Sequence, residues 1–198
     1  IAKYYMLSLD DGNLIWSKNS SAPFNSQVKI FKDKFFVIDF ENILRCFSIK
    51  DGKEIWNFKT EKSFIKSQQK LSFIINNNKV VFINTLGDIS SVDITNGNLV
   101  WQTPTQSSLI YQDAFSLENS DLVFANDSIY LSNNKNELLS IDARTGTVNW
   151  KQTVNSSLSP VIIENYVFSV SNEGYLFVID NKNGNIIRIN NLLKNIKN

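Results

Sequence analysis

The sequence contains no histidine, and its 198 residues include one cysteine and three prolines. Histidine is the commonest general base near neutral pH and the commonest metal ligand. Its absence excludes Ser-His and Cys-His hydrolases and metal centres built on imidazole. The single cysteine, Cys46, has no intrachain disulfide partner, and its place in the apolar run 43–47 predicts a thiol half buried in a strand. The sequence also lacks a glycine-rich loop that would hold phosphate, so it offers no assembled catalytic set.

Neither sign of charge dominates the sequence. The chain has 20 Lys and Arg against 19 Asp and Glu, a formal net charge of +1, and the two signs are interspersed. Without a basic block, nothing indicates nucleic acid as a partner. No run of about 18 apolar residues is present, so no membrane-spanning segment is predicted in this chain.

One pattern recurs five times and includes all four tryptophans and five of the seven glycines. An Asp or Ser is followed by a Gly four residues later and by a Trp four residues after the Gly, as at 138–150. In the last copy Arg188 occupies the Trp position. A repeat every ~40–50 residues, built of short strands, is typical of a β-propeller. The repeat glycines are Gly12, Gly52, Gly97, Gly146 and Gly184, and the repeat tryptophans are Trp16, Trp56, Trp101 and Trp150.

The residue types in this pattern favour a hairpin followed by a packing contact. The side chain of Asp142 can bond the backbone two residues further on and so start a turn. Gly146 accepts the positive φ that a hairpin turn needs. Trp150 supplies a large apolar ring to fill the gap between packed sheets. Because these residues recur once per repeat, we interpret the carboxylates as turn residues rather than metal ligands, and the tryptophans as packing between blades rather than as a cofactor platform.

The repeats predict an all-β fold, a β-propeller of four-stranded antiparallel blades. Residues 1–18 contain only the last two strands of a blade, which makes a half-blade. We expect one domain over residues 1–198, truncated at both ends, as an open fragment of a parent with about seven or eight blades. The four full blades cover about residues 20–60, 61–105, 106–154 and 155–190.

The repeat resembles that of the PQQ-like β-propeller family, whose frame is Gly-x-Leu-(Tyr/Phe)-x-(Leu/Ile)-Asp-x-x-(Thr/Asn)-Gly-x-x-x-Trp. Residues 174–184 (GYLFVIDNKNG) follow this frame closely. Residues 87–101 and 136–150 follow it as well, with Asn136 in place of the first Gly. The resemblance covers essentially the whole chain and implies a propeller.

Two branches of this family carry different expectations. Quinoprotein dehydrogenases hold pyrroloquinoline quinone and a calcium ion, and many have adjacent cysteines over the cofactor, which one cysteine cannot supply. BamB-like proteins are periplasmic lipoproteins that act as scaffolds of the outer-membrane β-barrel assembly machinery. The last repeat, EGYLFVIDNKNGNII, is similar to a late BamB blade.

The second branch therefore implies a non-enzymatic scaffold without catalytic residues, cofactor or metal. It implies a periplasmic protein associated with the outer membrane of a Gram-negative bacterium, whose partner is the periplasmic part of a BamA-like barrel-assembly protein. A fragment of a PQQ-dependent quinoprotein dehydrogenase and a ligand-sensing propeller domain are the alternatives.

Two stretches depart from the repeat, at 62–67 (KSFIKS) and 108–118 (SLIYQDAFSLE), and each precedes the first strand of a blade. Both should therefore emerge on the same face of the propeller. They combine large apolar side chains with charges, as anchors of protein interfaces do. The alternative is that Phe64 and Phe115 fold under their own loops. The predicted partner-binding residues are Phe64, Ile65, Lys66, Tyr111, Phe115 and Glu118.

Overall fold

The structure, a computed structural model, describes residues 2–61, 69–105 and 117–194. Within these ranges the chain forms eighteen β-strands in five antiparallel sheets and no helix. The first sheet has two strands, and each of the other four has four. The predicted all-β fold of four-stranded antiparallel blades is confirmed. The sheets are called the half-blade and blades 1 to 4, in chain order.

Each full blade is a meander, so strands that are consecutive in sequence are neighbours in the sheet. The half-blade contains β1 (Ala2–Leu7) and β2 (Leu14–Ser20); blade 1 contains β3 (Lys29–Phe31), β4 (Lys34–Ile38), β5 (Ile43–Ser48) and β6 (Glu54–Lys59); blade 2 contains β7 (Phe73–Asn76), β8 (Lys79–Ile83), β9 (Ile89–Asp93) and β10 (Leu99–Thr103); blade 3 contains β11 (Val123–Ala125), β12 (Ser128–Asn133), β13 (Glu137–Asp142) and β14 (Val148–Gln152); blade 4 contains β15 (Val161–Ile163), β16 (Tyr166–Val170), β17 (Tyr175–Asp180) and β18 (Ile186–Asn191).

The turn before the last strand has the same backbone hydrogen bond in all five sheets. In blade 3 the N–H of Gly146 donates to the carbonyl of Asp142 over 2.8 Å. The Asp142 carboxylate accepts the backbone N–H groups of Thr145 and Arg144 at 2.7 and 2.9 Å. Because these donors favour the charged carboxylate, they hold the pKa of Asp142 below its usual range. The carboxylates of Asp93 and Asp180 accept N–H groups of their own turns in the same way.

Apolar side chains on both faces of the central strands pack against both neighbouring sheets. Along β4, Phe35 and Val37 face the half-blade, whereas Phe36 and Ile38 face blade 2. An apolar cluster of this kind lies at each of the four contacts between consecutive sheets. The blades are therefore held together mainly by burial of apolar surface between them.

Each tryptophan of the repeat lies on the glycine turn of the next sheet. The indole N–H of Trp101 donates to the carbonyl of Ala143 over 3.2 Å. A Cβ built on Gly146 would lie only 2.5 Å from the Trp101 ring. Glycine is thus required at position 146 both by its φ of 79° and by the close approach of the ring. The same contacts join Trp16 to Gly52, Trp56 to Gly97 and Trp150 to Gly184.

Cys46 is fully buried, not half buried as the sequence predicts. It lies in β5 opposite Trp56, in the same apolar cluster as Phe36. The prediction was wrong because it treated β5 as a strand with one covered face, whereas the next blade also covers it. Burial raises the pKa of the Cys46 thiol to about 12.

We expect Cys46 to resist modification by an aromatic disulfide reagent in the native protein at neutral pH, because the reactive thiolate is both disfavoured and inaccessible. In denaturant the same reagent should titrate one thiol per chain. The measurement is the absorbance of the released thiolate with and without urea. Equal rates in the two conditions would contradict the burial of Cys46.

Candidate functional site

The described residues that flank the predicted site lie at the end of the blades opposite the glycine turns. Because neighbouring strands are antiparallel, the hairpin between the second and third strands of each blade turns at this end, which we call the loop face. The end with the glycine turns is called the turn face. The segments that enter each new blade also approach the loop face.

Buried polar side chains shape the hairpins of the loop face. Asp39 precedes the β4–β5 turn, and its carboxylate accepts the N–H groups of Glu41 and Ile43 at 2.9 and 3.0 Å. In blade 2 the side-chain oxygen of Asn84 accepts the N–H groups of Leu86 and Asp88, both at 2.9 Å. Both Asp39 and Asn84 are fully buried, so buried side-chain hydrogen bonds hold the conformation of these hairpins.

Arg45 compensates the buried charge of Asp39. Its guanidinium Nε lies 2.7 Å from Asp39 Oδ2, and a second nitrogen lies 2.6 Å from the carboxylate of Glu54. Burial alone would lower the pKa of Arg45, but the hydrogen bonds and charges of these two carboxylates raise it. The Asp39 carboxylate therefore stabilises the β4–β5 hairpin of blade 1 through its bonds to the backbone and to Arg45.

A pair of hydrogen bonds joins neighbouring blades at the loop face. The amide nitrogen of Asn42 donates to Thr85 Oγ1 over 2.7 Å, and the N–H of Thr85 donates to the Asn42 side-chain oxygen over 3.3 Å. Both residues are buried. The β4–β5 and β8–β9 hairpins therefore form one continuous surface.

The threonines that precede the two irregular stretches lie at equivalent points on this surface. The hydroxyl of Thr60 donates to the carbonyl of Asn42 over 3.0 Å, just before the first stretch. The hydroxyl of Thr105 donates to the carbonyl of Gly87 over 2.6 Å, just before the second. Each threonine thus fixes the end of a blade to its own loop-face hairpin, so the described chain before each stretch ends at the loop face.

Two residues that follow the stretches, Gln69 and Asn119, are bonded to each other. The Gln69 side chain donates to the carbonyl of Asn119 over 2.5 Å and accepts the N–H of Asn119 at 3.1 Å. Beyond Asn119, the N–H of Leu122 donates to the Ser72 hydroxyl over 2.9 Å. We call the Gln69–Asn119 pair the loop clamp. It holds together the described chain that follows the two stretches.

Acidic groups also lie on the loop face. Burial raises the pKa of Asp88, the nearby charge of Glu61 adds to this effect, and a hydrogen bond from Asn84 opposes it. Glu118 is exposed, while its backbone N–H donates to the Asn134 side chain over 3.0 Å. The charge of Glu118 is therefore presented to solvent from a fixed backbone.

Of the six predicted partner-binding residues, the structure places Glu118, on the loop face. The other five lie outside the described residues, as does the alternative in which Phe64 and Phe115 fold under their own loops. The sequence interpretation missed the loop clamp and the threonine anchors. A signal for the anchors was present, because Thr60 and Thr105 each follow a repeat Trp by four residues. The loop clamp joins residues 50 positions apart, and no repeat position or spacing in the sequence indicates this pair.

Within residues 2–61, 69–105 and 117–194, no group of three His, Cys, Asp or Glu side chains is placed to hold a metal ion. In the same part of the chain, no helix is long and apolar enough to cross a membrane.

The chain matches known proteins along nearly its whole length. A family model described as outer membrane protein assembly factor BamB matches residues 2–190. The crystal structure of BamB from Moraxella catarrhalis matches with a TM-score of 0.76 and 18% identity over 95% of this chain. A europium-containing methanol dehydrogenase matches with a TM-score of 0.72 and 14% identity over 96% of this chain. The quinohemoprotein alcohol dehydrogenase from Comamonas testosteroni matches with a TM-score of 0.66 and 16% identity over 96% of this chain.

This chain spans 58% of the BamB structure and 47% and 40% of the two dehydrogenases. A comparison with curated protein sequences found no match. At these identities the structural likeness establishes the fold alone, which the BamB structure and the two dehydrogenases share. The family model is more specific, and it covers residues 2–190. The chain therefore belongs to the family of outer membrane protein assembly factor BamB.

Proposed function

We propose that the chain is a non-enzymatic scaffold in outer-membrane protein assembly and that it binds its partner through the loop face. The observation that carries this proposal is the loop clamp, in which Gln69 and Asn119, which follow the two irregular stretches, are hydrogen-bonded to each other. Family membership supports the cellular process. The two stretches interrupt a repeat that is otherwise regular, which is typical of binding loops on a rigid scaffold.

The proposed partner is the periplasmic part of a BamA-like barrel-assembly protein. Phe64 and Ile65 supply apolar anchors from the first stretch, and Tyr111 and Phe115 supply them from the second. The charges of Lys66 and Glu118 contribute orientation and association rate more than affinity. In this proposal the protein acts in the periplasm, in association with the outer membrane.

Two features of the chain support binding rather than catalysis. The recurring carboxylates Asp93, Asp142 and Asp180 are engaged by the backbone of their own turns. The single thiol, Cys46, is buried between blades. A quinoprotein dehydrogenase fragment is the second candidate, and it rests on the fold that the chain shares with the methanol dehydrogenase at a TM-score of 0.72.

A double substitution of Phe64 and Ile65 by alanine is expected to weaken binding to the purified periplasmic domains by about 10²-fold or more. Truncating each central apolar anchor of an interface typically costs ~1–3 kcal/mol. The matched control is a double substitution on the turn face, Asn96→Ala with Thr145→Ala, which should leave the dissociation constant within about twofold. Binding is measured by calorimetry, and folding of each variant by thermal melting.

If the turn-face pair weakens binding while the Phe64 and Ile65 pair does not, the binding face is wrong. If the parent protein shows no binding to these domains, the proposed partner is wrong.

A further inference from the structure

A cavity of about 520 Å³ lies on the turn face between blades 2 and 3. This volume is typical of small-molecule sites. The β7–β8 hairpin, the β11–β12 hairpin and the glycine turn of blade 3 surround the cavity. Blades 2 and 3 each have all four strands, so the cavity lies between two whole sheets. Its lining includes Asn76, Lys79, Val81, Asp127, Ile129 and Ala143.

One cause of the cavity is that Val81 stands where other blades have an aromatic residue. Val81 and Phe36 have the same place in their sheets, opposite the residue that pairs with the repeat tryptophan. The ring centroid of Phe36 lies 5.8 Å from that of Trp56. In blade 3 the same place has Tyr130, whose ring centroid lies 6.1 Å from that of Trp150. Valine has no ring to take this place between blades 2 and 3.

Two more positions enlarge the cavity. Ala143 corresponds to Ile94, since the carbonyl of each accepts the indole N–H of a repeat tryptophan. Asn76 corresponds to Phe31, since each pairs with the first residue of the second strand of its blade. Ile94 and Phe31 both pack in the apolar cluster between blades 1 and 2. The contact between blades 2 and 3 therefore leaves open a volume that aromatic and aliphatic side chains fill in the contact before it.

A cation and a carboxylate lie at this cavity on opposite blades. Lys79, on blade 2, is half-buried, and its ammonium donates a hydrogen bond of 3.4 Å to the carbonyl of Arg144. Asp127, on blade 3, is exposed. In the described part of the chain, neither Lys79 nor Asp127 makes an ion pair. The carboxylate of Asp142 is engaged by the backbone of its own turn and by the charge of Arg144. Lys79 and Asp127 are therefore the charges that a ligand can pair with.

We propose that the cavity between blades 2 and 3 binds a free aromatic amino acid as a zwitterion. The aromatic ring packs against Val81 and Ile129, in the place that Phe36 fills in the preceding contact. The carboxylate of the ligand pairs with Lys79, and its ammonium pairs with Asp127. Burial of the ring supplies most of the affinity, and the two exposed ion pairs add orientation and selectivity. This site goes beyond the scaffold function and does not depend on the loop face.

The test uses four small probes that separate the ring from the two charges. Phenylalanine has the ring and both charges, 3-phenylpropionate lacks the ammonium, phenethylamine lacks the carboxylate, and leucine lacks the ring. Amide resonances of the isotope-labelled protein are followed over a concentration series of each probe. Phenylalanine should bind saturably and at least about threefold more tightly than each of the other three probes.

Substitutions assign each part of the ligand to a residue. Lys79→Gln should weaken binding of phenylalanine and 3-phenylpropionate at least about threefold and leave phenethylamine unchanged. Asp127→Asn should weaken phenylalanine and phenethylamine to the same extent and leave 3-phenylpropionate unchanged. The matched control is Lys34→Gln, at the same register position of blade 1, which should leave every dissociation constant within about twofold. Val81→Phe restores the ring of the other blades and should weaken phenylalanine binding at least about tenfold.

Two results would overturn the site outright. One is the absence of saturable phenylalanine binding up to about 10 mM, since a weaker interaction is not a specific site. The other is binding that Val81→Phe leaves unchanged. Equal weakening by Lys34→Gln and Lys79→Gln would overturn the pairing with Lys79, and leucine binding as tightly as phenylalanine would overturn the requirement for a ring.

A measurement on the unchanged protein decides the matter if Val81→Phe fails to fold. Phenylalanine should shift the amide resonances of Val81 and Ala143, which line the cavity. It should leave those of Phe36 and Ile94, their counterparts at the filled contact, in place. Equal shifts at the two contacts, or shifts at Phe36 and Ile94 alone, would overturn the proposal.

Discussion

Replacement of Trp101 by alanine is expected to lower the free energy of unfolding by about 3–5 kcal/mol, as for other buried aromatic side chains. The Trp101 ring is 8% exposed, covers the turn of blade 3 at Gly146 and donates to the carbonyl of Ala143. The substitution removes the ring from the cluster between blades 2 and 3 and leaves that carbonyl without its indole donor. The measurement is urea unfolding followed by fluorescence of the remaining tryptophans.

The control for Trp101 is its neighbour in β10. Val100 is 46% exposed, so Val100→Ala should change stability by no more than about 0.5 kcal/mol. If Trp101→Ala unfolds at the same urea concentration as the parent, the tryptophan does not couple the blades.

Replacement of Gly97 by valine is expected to lower the free energy of unfolding by about 2–6 kcal/mol, and the loss should exceed that of the same change at Gly12. Both glycines have positive φ, 75° and 71°, so both variants carry backbone strain of about 1–3 kcal/mol. At Gly97 the new Cβ would also lie 2.6 Å from the Trp56 ring, which adds an overpacking cost of about 1–3 kcal/mol. At Gly12 no atom is within 4 Å, so the backbone term stands alone.

Comparing the two glycine variants distinguishes two reasons why the repeat has glycine at this position, namely the positive φ and the close approach of a tryptophan ring. Their unfolding free energies are compared in urea under identical conditions. Equal losses at the two positions would mean that the turn conformation alone requires glycine and that the close approach of the Trp56 ring to Gly97 carries no energy.

Much of the fold can be predicted from the sequence because the same spacing of turn and packing residues recurs five times. The spacing from Asp142 to Gly146 to Trp150 predicts a hairpin and a packing ring, and the structure contains both. The sequence shows that the tryptophans fill gaps between blades. It does not show which residues of the next blade contact each indole, because a residue spacing within one hairpin does not reveal how neighbouring blades pack. That the indole packs directly on the glycine of the next turn is therefore seen only in the structure.

The loop face was less predictable for the same reason. That Thr60 and Thr105 share a repeat position can be found by aligning the copies, whereas the bond between Gln69 and Asn119 depends on how two blades meet. Cys46 shows the limit of periodicity, because the polar Arg45 beside it imitates the alternation of a half-buried strand although both faces of β5 are covered.

The scaffold function is tested most directly by calorimetric titration of one protein preparation with two ligands. One is the purified periplasmic part of the barrel-assembly protein, and the other is pyrroloquinoline quinone with calcium. Scaffolding predicts saturable binding of the first and no heat of binding from the second. Saturable micromolar binding of the quinone with calcium, together with no binding of the periplasmic domains, would contradict it and identify the chain as part of a quinoprotein enzyme.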